Sequence, residues 1–207
     1  MDWHITEALS MATADYAIGE HNLAPAEYEI VRQVVLTTGD IDYKNLLQFS
    51  DQALQVGASA IASRIPIVVD SLAIHAVTSF AISQTFANLT VCAGLVSPMT
   101  QSRKDPIAAG LYQLAQEYPE AIYVIGGFES ALVELLSLVE KEAVSPSFVI
   151  ACPACLVTGN DLKQRLVQTG IPHIRSEGVK GNSAVASAVL TGLVELAWQA
   201  YGEIPQI

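Results

Sequence analysis

The sequence predicts a three-layer α/β fold with a mostly parallel sheet of about five strands and helices on both faces. From residue 65 onward, short apolar runs rich in β-branched residues alternate with helical segments, as in βαβ units. Small or turn-forming residues follow most of these runs, as expected for buried strands. Of the 207 residues, 51% are hydrophobic and 15% are charged, which leaves ample chain for a core and excludes intrinsic disorder.

The part of the chain before this alternation is predicted to be helical. One helix covers residues 6–20 and a second covers residues 25–36, where Pro25 suits a first helical turn. Apolar residues recur at helical spacing along the second helix, and a small, polar stretch then breaks the period. Ser50 and Asp51 are expected to cap a third helix before the first strand.

Strands and helices then alternate to the end of the chain. The predicted strands are 65–69, 89–92, 121–125, 148–151 and 172–174. The predicted helices are 72–83, 106–117, 130–142, 161–169 and 183–201. Asp105 and Pro106 form a cap and a first turn, and Gly170 is a stop signal. We find no repeat or low-complexity linker, so a single domain over residues 1–207 is expected.

Residues that carry chemistry collect at one edge of this predicted sheet. Ligands of open parallel sheets bind beyond the carboxyl ends of the strands. Those ends hold an isolated carboxylate, several glycines and a CxxC pair, at Asp70, 93–94, 126–127, 152–155 and 176–181. We therefore expect the functional site at this edge.

Charge and composition argue against several classes of partner. Ten Lys and Arg against 21 Asp and Glu give a net charge of −11, which argues against broad binding to nucleic acid or to an anionic membrane. No apolar run reaches the roughly 18–20 residues that span a bilayer. The first residues lack the basic and then apolar order of a signal peptide. Three cysteines suit a reducing compartment, so we expect a soluble cytoplasmic protein.

A CxxC pair, Cys152 and Cys155, lies at a predicted strand end before a helix. Such a pair is either a redox-active dithiol with a lowered pKa or half of a metal site. Ala151 and Ala154 stand where thioredoxin-like motifs have an aromatic residue and a proline. Small buried cysteines in a tight turn are the other interpretation. A dithiol oxidoreductase therefore stays open as an alternative function.

Two glycine-containing turns are candidate anion sites. Gly126 and Gly127 follow a strand and precede a helix, whose first amides would face a ligand. Residues 178–183 combine two glycines, Lys180 and Ser183 before a long helix, and Ser183 is expected to cap that helix. Such a loop suits a carboxylate, and a plain capping loop is the other interpretation.

Few cations and one histidine remain as candidates near this edge. Arg103, Lys163 and Lys180 are three of the ten basic residues, and an anionic ligand of so acidic a chain needs several cations in one cleft. His75 follows Asp70 in an apolar helix, where it is either a core residue or a catalytic group.

Motifs spread along nearly the whole chain resemble the precorrin-8X methylmutase family. Residues 125–132 read IGGFESAL, where the family has IGNAPTAL, and residues 178–183 read GVKGNS, similar to its GRKGGS. The other matching stretches, in order, are 31–43, 47–50, 66–70, 102–103 and 153–163. Their collinear order extends the resemblance over almost all of the sequence.

The resemblance implies a cytoplasmic homodimer with a mostly parallel α/β fold that acts late in cobalamin biosynthesis. Members move a methyl group from C11 to C12 of a corrin macrocycle, which gives hydrogenobyrinate or cobyrinate. This rearrangement uses no metal and no cofactor. The protein holds a large polycarboxylate tetrapyrrole and stabilises charge in the rearranging ring. In the family, a histidine acts on a ring nitrogen as a general acid.

The resemblance also assigns roles to single residues. The position of the family histidine is occupied by Leu36, which cannot donate a proton, and His75 is the nearby substitute. The implied substrate-binding residues are Thr13, Thr37, Arg103, Gly127, Lys163, Lys180, Gly181 and Ser183. Arg103, Lys163 and Lys180 would pair with carboxylates of the ligand. A tetrapyrrole-binding paralogue without catalysis is the alternative within the family.

Overall fold

The computed structural model describes residues 5–96 and 105–202. In this part of the chain, nine α-helices and six strands form a three-layer α/β fold. The strands are β1 (Leu47–Phe49), β2 (Ile67–Val69), β3 (Thr90–Cys92), β4 (Ile122–Ile125), β5 (Phe148–Ala151) and β6 (His173–Ser176). The helices are α1 (Ile5–Ile18), α2 (Pro25–Thr38), α3 (Tyr43–Leu46), α4 (Ala53–Ala62), α5 (Leu72–Ser83), α6 (Pro106–Glu117), α7 (Glu129–Glu140), α8 (Asp161–Gln168) and α9 (Ser183–Ala197).

The sheet is mostly parallel, with the strand order β1-β6-β5-β4-β2-β3. Strands β2 to β6 pair in parallel, and they are the five strands that the sequence predicts. The sixth strand, β1, was not predicted, and it pairs antiparallel with β6 at the edge, where Leu47 lies opposite Ser176. Three residues are too short to show a period, so this strand is defined by its non-local partner. The fold class is confirmed, and the strand count rises from five to six.

The predicted helices are present, with small corrections at their ends. Helix α2 continues to Thr38 and ends at Gly39, whose φ of 70° is the left-handed conformation that favours glycine. Ser50 and Asp51 do not cap α4, because its N-cap position is Gln52 and no side chain caps it. The Ser50 hydroxyl instead accepts a hydrogen bond from the His173 N–H at 2.8 Å, which fixes the start of β6.

Two apolar layers cover the two faces of the sheet. Helices α2, α4, α5 and α9 pack on one face, and α6, α7 and α8 pack on the other. All side chains of β2, β4 and β5 are buried, which is typical of parallel strands covered on both faces. Each buried aliphatic side chain contributes about 1.5–3 kcal/mol relative to an exposed one.

Helix α9 is the central helix of the first layer and contacts α2, α4 and α5. With the single π-helical turn that follows, Ser183–Gly202 is long and apolar enough by length and composition to cross a membrane. Core helices of soluble proteins pass the same test, and 56% of this stretch is buried inside the protein. We therefore describe α9 as a core helix.

A close helix contact makes Gly110 a sensitive position. A Cβ added at Gly110 of α6 would lie 2.3 Å from the Ala93 carbonyl oxygen, inside any allowed contact. We expect Gly110→Ala to lower the free energy of unfolding by about 1–3 kcal/mol, since backbone must move to relieve the clash. Urea unfolding followed by circular dichroism measures this loss. Gln113→Ala, at an exposed position of the same helix, is the control, and equal stabilities of the two variants would contradict the packing described.

Candidate functional site

The carboxyl ends of four parallel strands bring their loops together at one edge of the sheet. We call this edge the rim and define it as residues 70–71, 126–128, 152–153 and 176–183. These loops are in close contact with one another. A Cβ added at Gly127, for example, would lie only 2.9 Å from the Ser71 Cβ. A Cβ at Gly181 would lie 2.2 Å from the Cys152 carbonyl oxygen. The loops at the edge where the site is expected are therefore packed against one another.

The Asp70 carboxylate occupies the centre of the rim and is fully buried. Its Oδ2 atom accepts hydrogen bonds from the backbone N–H groups of Gly126 at 3.2 Å, Gly127 at 2.8 Å and Phe128 at 2.8 Å. These amides lie directly before α7, the position where anions bind helices. The sequence suggested that they face a ligand anion. That suggestion was wrong, because a carboxylate of the protein itself already fills the position.

Burial controls the charge of Asp70. Its second oxygen, Oδ1, is buried and makes no hydrogen bond with the described residues. Burial raises the pKa of Asp70 to about 6, although the three amides of the turn oppose the shift. Asp70 is therefore a structural carboxylate whose ionised form is costly inside the protein.

Ser71 and Ser183 meet on the other side of Gly127. Their Oγ atoms lie 3.1 Å apart, and the Ser71 Oγ also accepts from the Ile74 N–H at the start of α5. Ser183 was expected to cap α9, but the cap is Asn182, whose Oδ1 accepts from two amides of that helix. Gly127 lacks a side chain where these hydroxyls approach, which allows three loops to pack together.

The side chain of Lys163 extends from helix α8 to the rim and is fully buried. Its ammonium donates to the Ser176 Oγ at 2.8 Å and to the carbonyl oxygens of Gly178 at 2.9 Å and Lys180 at 3.0 Å. All three N–H donors are therefore used inside the protein, and burial lowers the pKa of Lys163. A ligand carboxylate would therefore find no free N–H group on Lys163.

Lys180 connects the rim to the segment that follows α2. Its ammonium lies 3.0 Å from an oxygen of Asp40 and 2.7 Å from an oxygen of Asp42. These hydrogen bonds raise the pKa of Lys180 above its ordinary value. The side chain is 46% exposed, and an open cavity of about 360 Å³ lies beside it. A ligand carboxylate would therefore reach Lys180 only in competition with two aspartates.

The end of α2 is held beside the rim by this contact and carries two of the predicted site residues. Leu36 is partly buried and packs against the core. Thr37 is exposed, and its hydroxyl donates to the Gln33 carbonyl at 2.8 Å, which leaves lone pairs of the hydroxyl free to accept. Thr37 therefore lies three residues before Asp40, the residue that binds Lys180.

Three further predicted residues lie elsewhere or outside the described ranges. Thr13 is on the exposed side of α1, which packs against α2, and its hydroxyl donates to the Leu9 carbonyl at 2.8 Å. His75 is half-buried in the first turns of α5, and its N–H donates to the Ser71 carbonyl at 3.2 Å. Arg103 falls outside the described residues.

The cysteines do not form a redox centre. Cys152 and Cys155 are free and fully buried. Burial raises the pKa of Cys152 to about 11 and also raises the pKa of Cys155. A dithiol oxidoreductase needs an accessible thiolate with a lowered pKa, so that hypothesis was wrong. Among residues 5–96 and 105–202, no three His, Cys, Asp or Glu side chains are grouped to hold a metal ion.

Sequence reasoning missed three carboxylates of this region. Asp40 and Asp42 hold Lys180, and Glu129 holds the loop before α8. The Glu129 carboxylate accepts from the N–H groups of Val157 at 3.3 Å and Thr158 at 2.7 Å, and from the Thr158 hydroxyl. Asp40 and Asp42 lie inside a stretch that carried the family resemblance, which was the available signal. Glu129 also lies inside such a stretch, residues 125–132, but its partners, Val157 and Thr158, are distant in sequence.

Comparison with known proteins identifies the family. The family model described as precorrin-8X methylmutase matches residues 5–196, which is most of the chain. The chain belongs to this family. A cobalt-precorrin-8 methylmutase of Synechocystis sp. is 30% identical over 204 residues, covering 92% of this chain and 94% of the relative. Its counterpart in Leptospira interrogans is 28% identical and covers 92% of each chain.

A solved structure agrees with this membership. The crystal structure of precorrin-8x methyl mutase from Thermus thermophilus has a TM-score of 0.85, at 26% sequence identity. The alignment covers 95% of this chain and 99% of that one. The rim described above therefore lies in a precorrin-8X methylmutase fold.

The titration of Asp70 gives a pH-dependent prediction. Its pKa is about 6 in the folded protein and near 3.8 when exposed, so the folded state holds more protons between these values. The stability contribution of Asp70 therefore falls as pH rises through this window. We expect Asp70→Asn to lack this fall, so that its stability relative to the parent protein rises on the order of 3 kcal/mol between about pH 4 and about pH 7.

Urea unfolding of both proteins across this pH range measures the difference in free energy. Asp51→Asn, at an exposed carboxylate, is the control. A difference between Asp70→Asn and the parent that is constant with pH would contradict the burial argument.

Proposed function

We propose that the protein binds a precorrin-8X-like tetrapyrrole at the rim and isomerises it, moving a methyl group from C11 to C12 of the ring. Membership of the precorrin-8X methylmutase family over residues 5–196 carries this proposal. The joined rim supports it, because loops from four strands that are fixed to one another offer a rigid wall for a large ring. The product is hydrogenobyrinate or, with cobalt in the ring, cobyrinate.

The proposed reaction is an internal rearrangement. One bond from C11 to the methyl carbon breaks and one bond from C12 to the same carbon forms, so no electron leaves the molecule and no co-reactant is required. The protein contributes by holding the ring in a reactive geometry and by stabilising charge that develops in its π-system. No cofactor is needed for this step.

The proposed ligand contacts come from both sides of the Lys180 anchor. The hydroxyls of Thr37 and Thr13 would hydrogen-bond the ring edge, since both keep free lone pairs on exposed helix surfaces. Lys180 would bind a peripheral carboxylate by exchanging it for Asp40 or Asp42, and Arg103 is proposed for a second carboxylate. Gly127 and Gly181 would let the ring approach the backbone.

Because of Leu36, the proposed reaction needs a proton donor from another position. A hydrocarbon cannot donate a proton, so position 36 contributes only contact to the ring. His75 is the proposed substitute acid, because it is half-buried one turn after Ser71 of the rim. In this proposal the protein relies mainly on positioning, and His75 adds to it.

The decisive test is turnover of precorrin-8X, followed by the absorption of the product. We expect the parent protein to be active and Leu36→His to be faster, by up to the roughly 10²–10⁴-fold that a general acid contributes. His75→Ala is expected to slow the parent protein, and Lys141→Met, at an exposed site, is the control. Tight binding without turnover would contradict the isomerase and leave a tetrapyrrole-binding paralogue.

We also propose a homodimer, formed through the outer face of α5. Leu72, Val77 and Phe80 are 52%, 62% and 75% exposed and lie on one side of this helix. Two exposed alanines lie between them, so the face is continuously apolar. Because Ser71 of the rim is the N-cap of α5, a dimer through this face would place the rims of two copies next to each other. The cytoplasm is the proposed location, supported by three free, buried cysteines.

A charge on this face should separate the subunits. We expect Phe80→Glu to convert the protein from dimer to monomer, because a carboxylate would be buried without a partner in the interface. Sedimentation velocity measures the mass. Val133→Glu, at an exposed position on α7 on the other side of the sheet, is expected to remain dimeric. A monomeric parent protein would contradict the proposed dimer.

A further inference from the structure

The buried ammonium of Lys163 lies under the loop 176–181, which is part of the rim. We propose that Lys163 is a positioning residue that fixes this loop and, through Lys180, holds the end of α2 at the site. The effect on the loop stands on the structure alone, and the effect on ligand binding rests on the proposed function.

The loop has an unusual course that needs support. Gly178 has φ 66° and Gly181 has φ 150°, both in the region that favours glycine. The Gly178 N–H donates to the Asn160 Oδ1 at 2.9 Å, and the Val179 carbonyl accepts from the Cys155 N–H at 3.2 Å. Two further carbonyls, of Gly178 and Lys180, point inward to the ammonium of Lys163. Lys163 therefore supplies a donor to the Gly178 carbonyl and shares the Lys180 carbonyl with the Ser176 hydroxyl.

A direct contact between Lys163 and a ligand does not fit this geometry. The side chain is fully buried, and its three N–H groups already have acceptors at 2.8 to 3.0 Å. A ligand carboxylate could bind only if the loop opened and one of these hydrogen bonds broke. The charged groups around Lys163 include Glu129, Arg175 and Glu177, with the thiols of Cys152 and Cys155. The hydrogen bonds of the Lys163 ammonium in the described residues go to Ser176, Gly178 and Lys180, so the loop holds the ammonium.

The support continues from the loop to α2 through a single residue. The main-chain oxygen of Lys180 accepts from Lys163 and also from the Ser176 hydroxyl, at 2.7 Å. Its side chain then binds Asp40 and Asp42, which follow the end of α2. Loss of the inner contact would therefore loosen the outer one. Thr37 and Leu36, just before Asp40, would lose their fixed position relative to the rim.

Trypsin and hydrogen exchange test the loop directly. We expect Lys163→Met to speed cleavage of the Lys180–Gly181 bond and amide exchange over residues 177–182 by roughly tenfold, since about 1.4 kcal/mol of local stability is tenfold. Ser176→Ala removes one of the three contacts and is expected to give a smaller increase, even if Lys163→Met fails to fold. Lys141→Met, at an exposed site, is the control. Unchanged cleavage and exchange in both rim variants would overturn the proposal.

Ligand binding tests the function of this support. Hydrogenobyrinic acid is the probe, and the shift of its visible band on binding gives the Kd. We expect Lys163→Met to weaken binding by roughly tenfold and Ser176→Ala by less, and the double variant to weaken it no further than Lys163→Met alone, because both act through one loop. Additive losses, or weaker binding with an unchanged loop, would mean that Lys163 contacts the ligand and would overturn the proposal. Failure of the parent protein to bind the probe would contradict the proposed function. The trypsin result would still test whether Lys163 fixes the loop.

Discussion

A buried carboxylate with three backbone donors is the interaction on which the rim depends. Asp70 directly follows β2, and the turn that it binds directly follows β4, which is the neighbour of β2 in the sheet. The hydrogen bonds therefore join adjacent strands beyond the point where their ladder stops. The partly buried pair of Ser71 and Ser183 extends this connection to α9. Without the carboxylate, the N–H groups of residues 126–128 would lose their acceptor, and the loss falls mainly on the buried Gly126 N–H, where an unsatisfied donor costs about 1–3 kcal/mol.

Lys163 provides the opposite charge on the other side of the rim, and it follows the same principle. Both Asp70 and Lys163 are fully buried, and each is hydrogen-bonded by neutral groups of the rim and not by a side chain of opposite charge, although the Oδ1 atom of Asp70 has no such partner in the described residues. Burying a charge is expensive unless several hydrogen bonds compensate it, so each loop must adopt one conformation. The cost of burial thus becomes a constraint on geometry. This constraint would suit the proposed role of the rim in holding a large, rigid ring.

The sequence predicted the layers well and the internal contacts poorly. Runs such as Ile122–Ile125 are apolar and β-branched, so local pattern identifies them as buried strands. Strand β1 and the hydrogen bonds of Asp70 depend on residues far away along the chain, which no local pattern shows. The sequence suggests Lys163 as a ligand partner because it lies near the predicted ligand edge and in a stretch that resembles the family. Its position between buried Leu162 and Leu166 on α8 becomes meaningful only when the packing is known.

In the proposed reaction, Leu36 leaves position 36 without a proton donor. The groups that shape the rim, Asp70 and Lys163 among them, are distinct from position 36, so the geometry of the rim does not depend on this residue. Because the proposed methyl shift has no net proton transfer, an acid accelerates the step without balancing it. General acids contribute about 10²–10⁴-fold. Because the proposed shift takes place within one molecule, the rim would act by holding the ring in a reactive conformation and by stabilising its developing charge, not by bringing two reactants together. Under the proposal, isomerisation without an imidazole at position 36 therefore depends on this fixed rim.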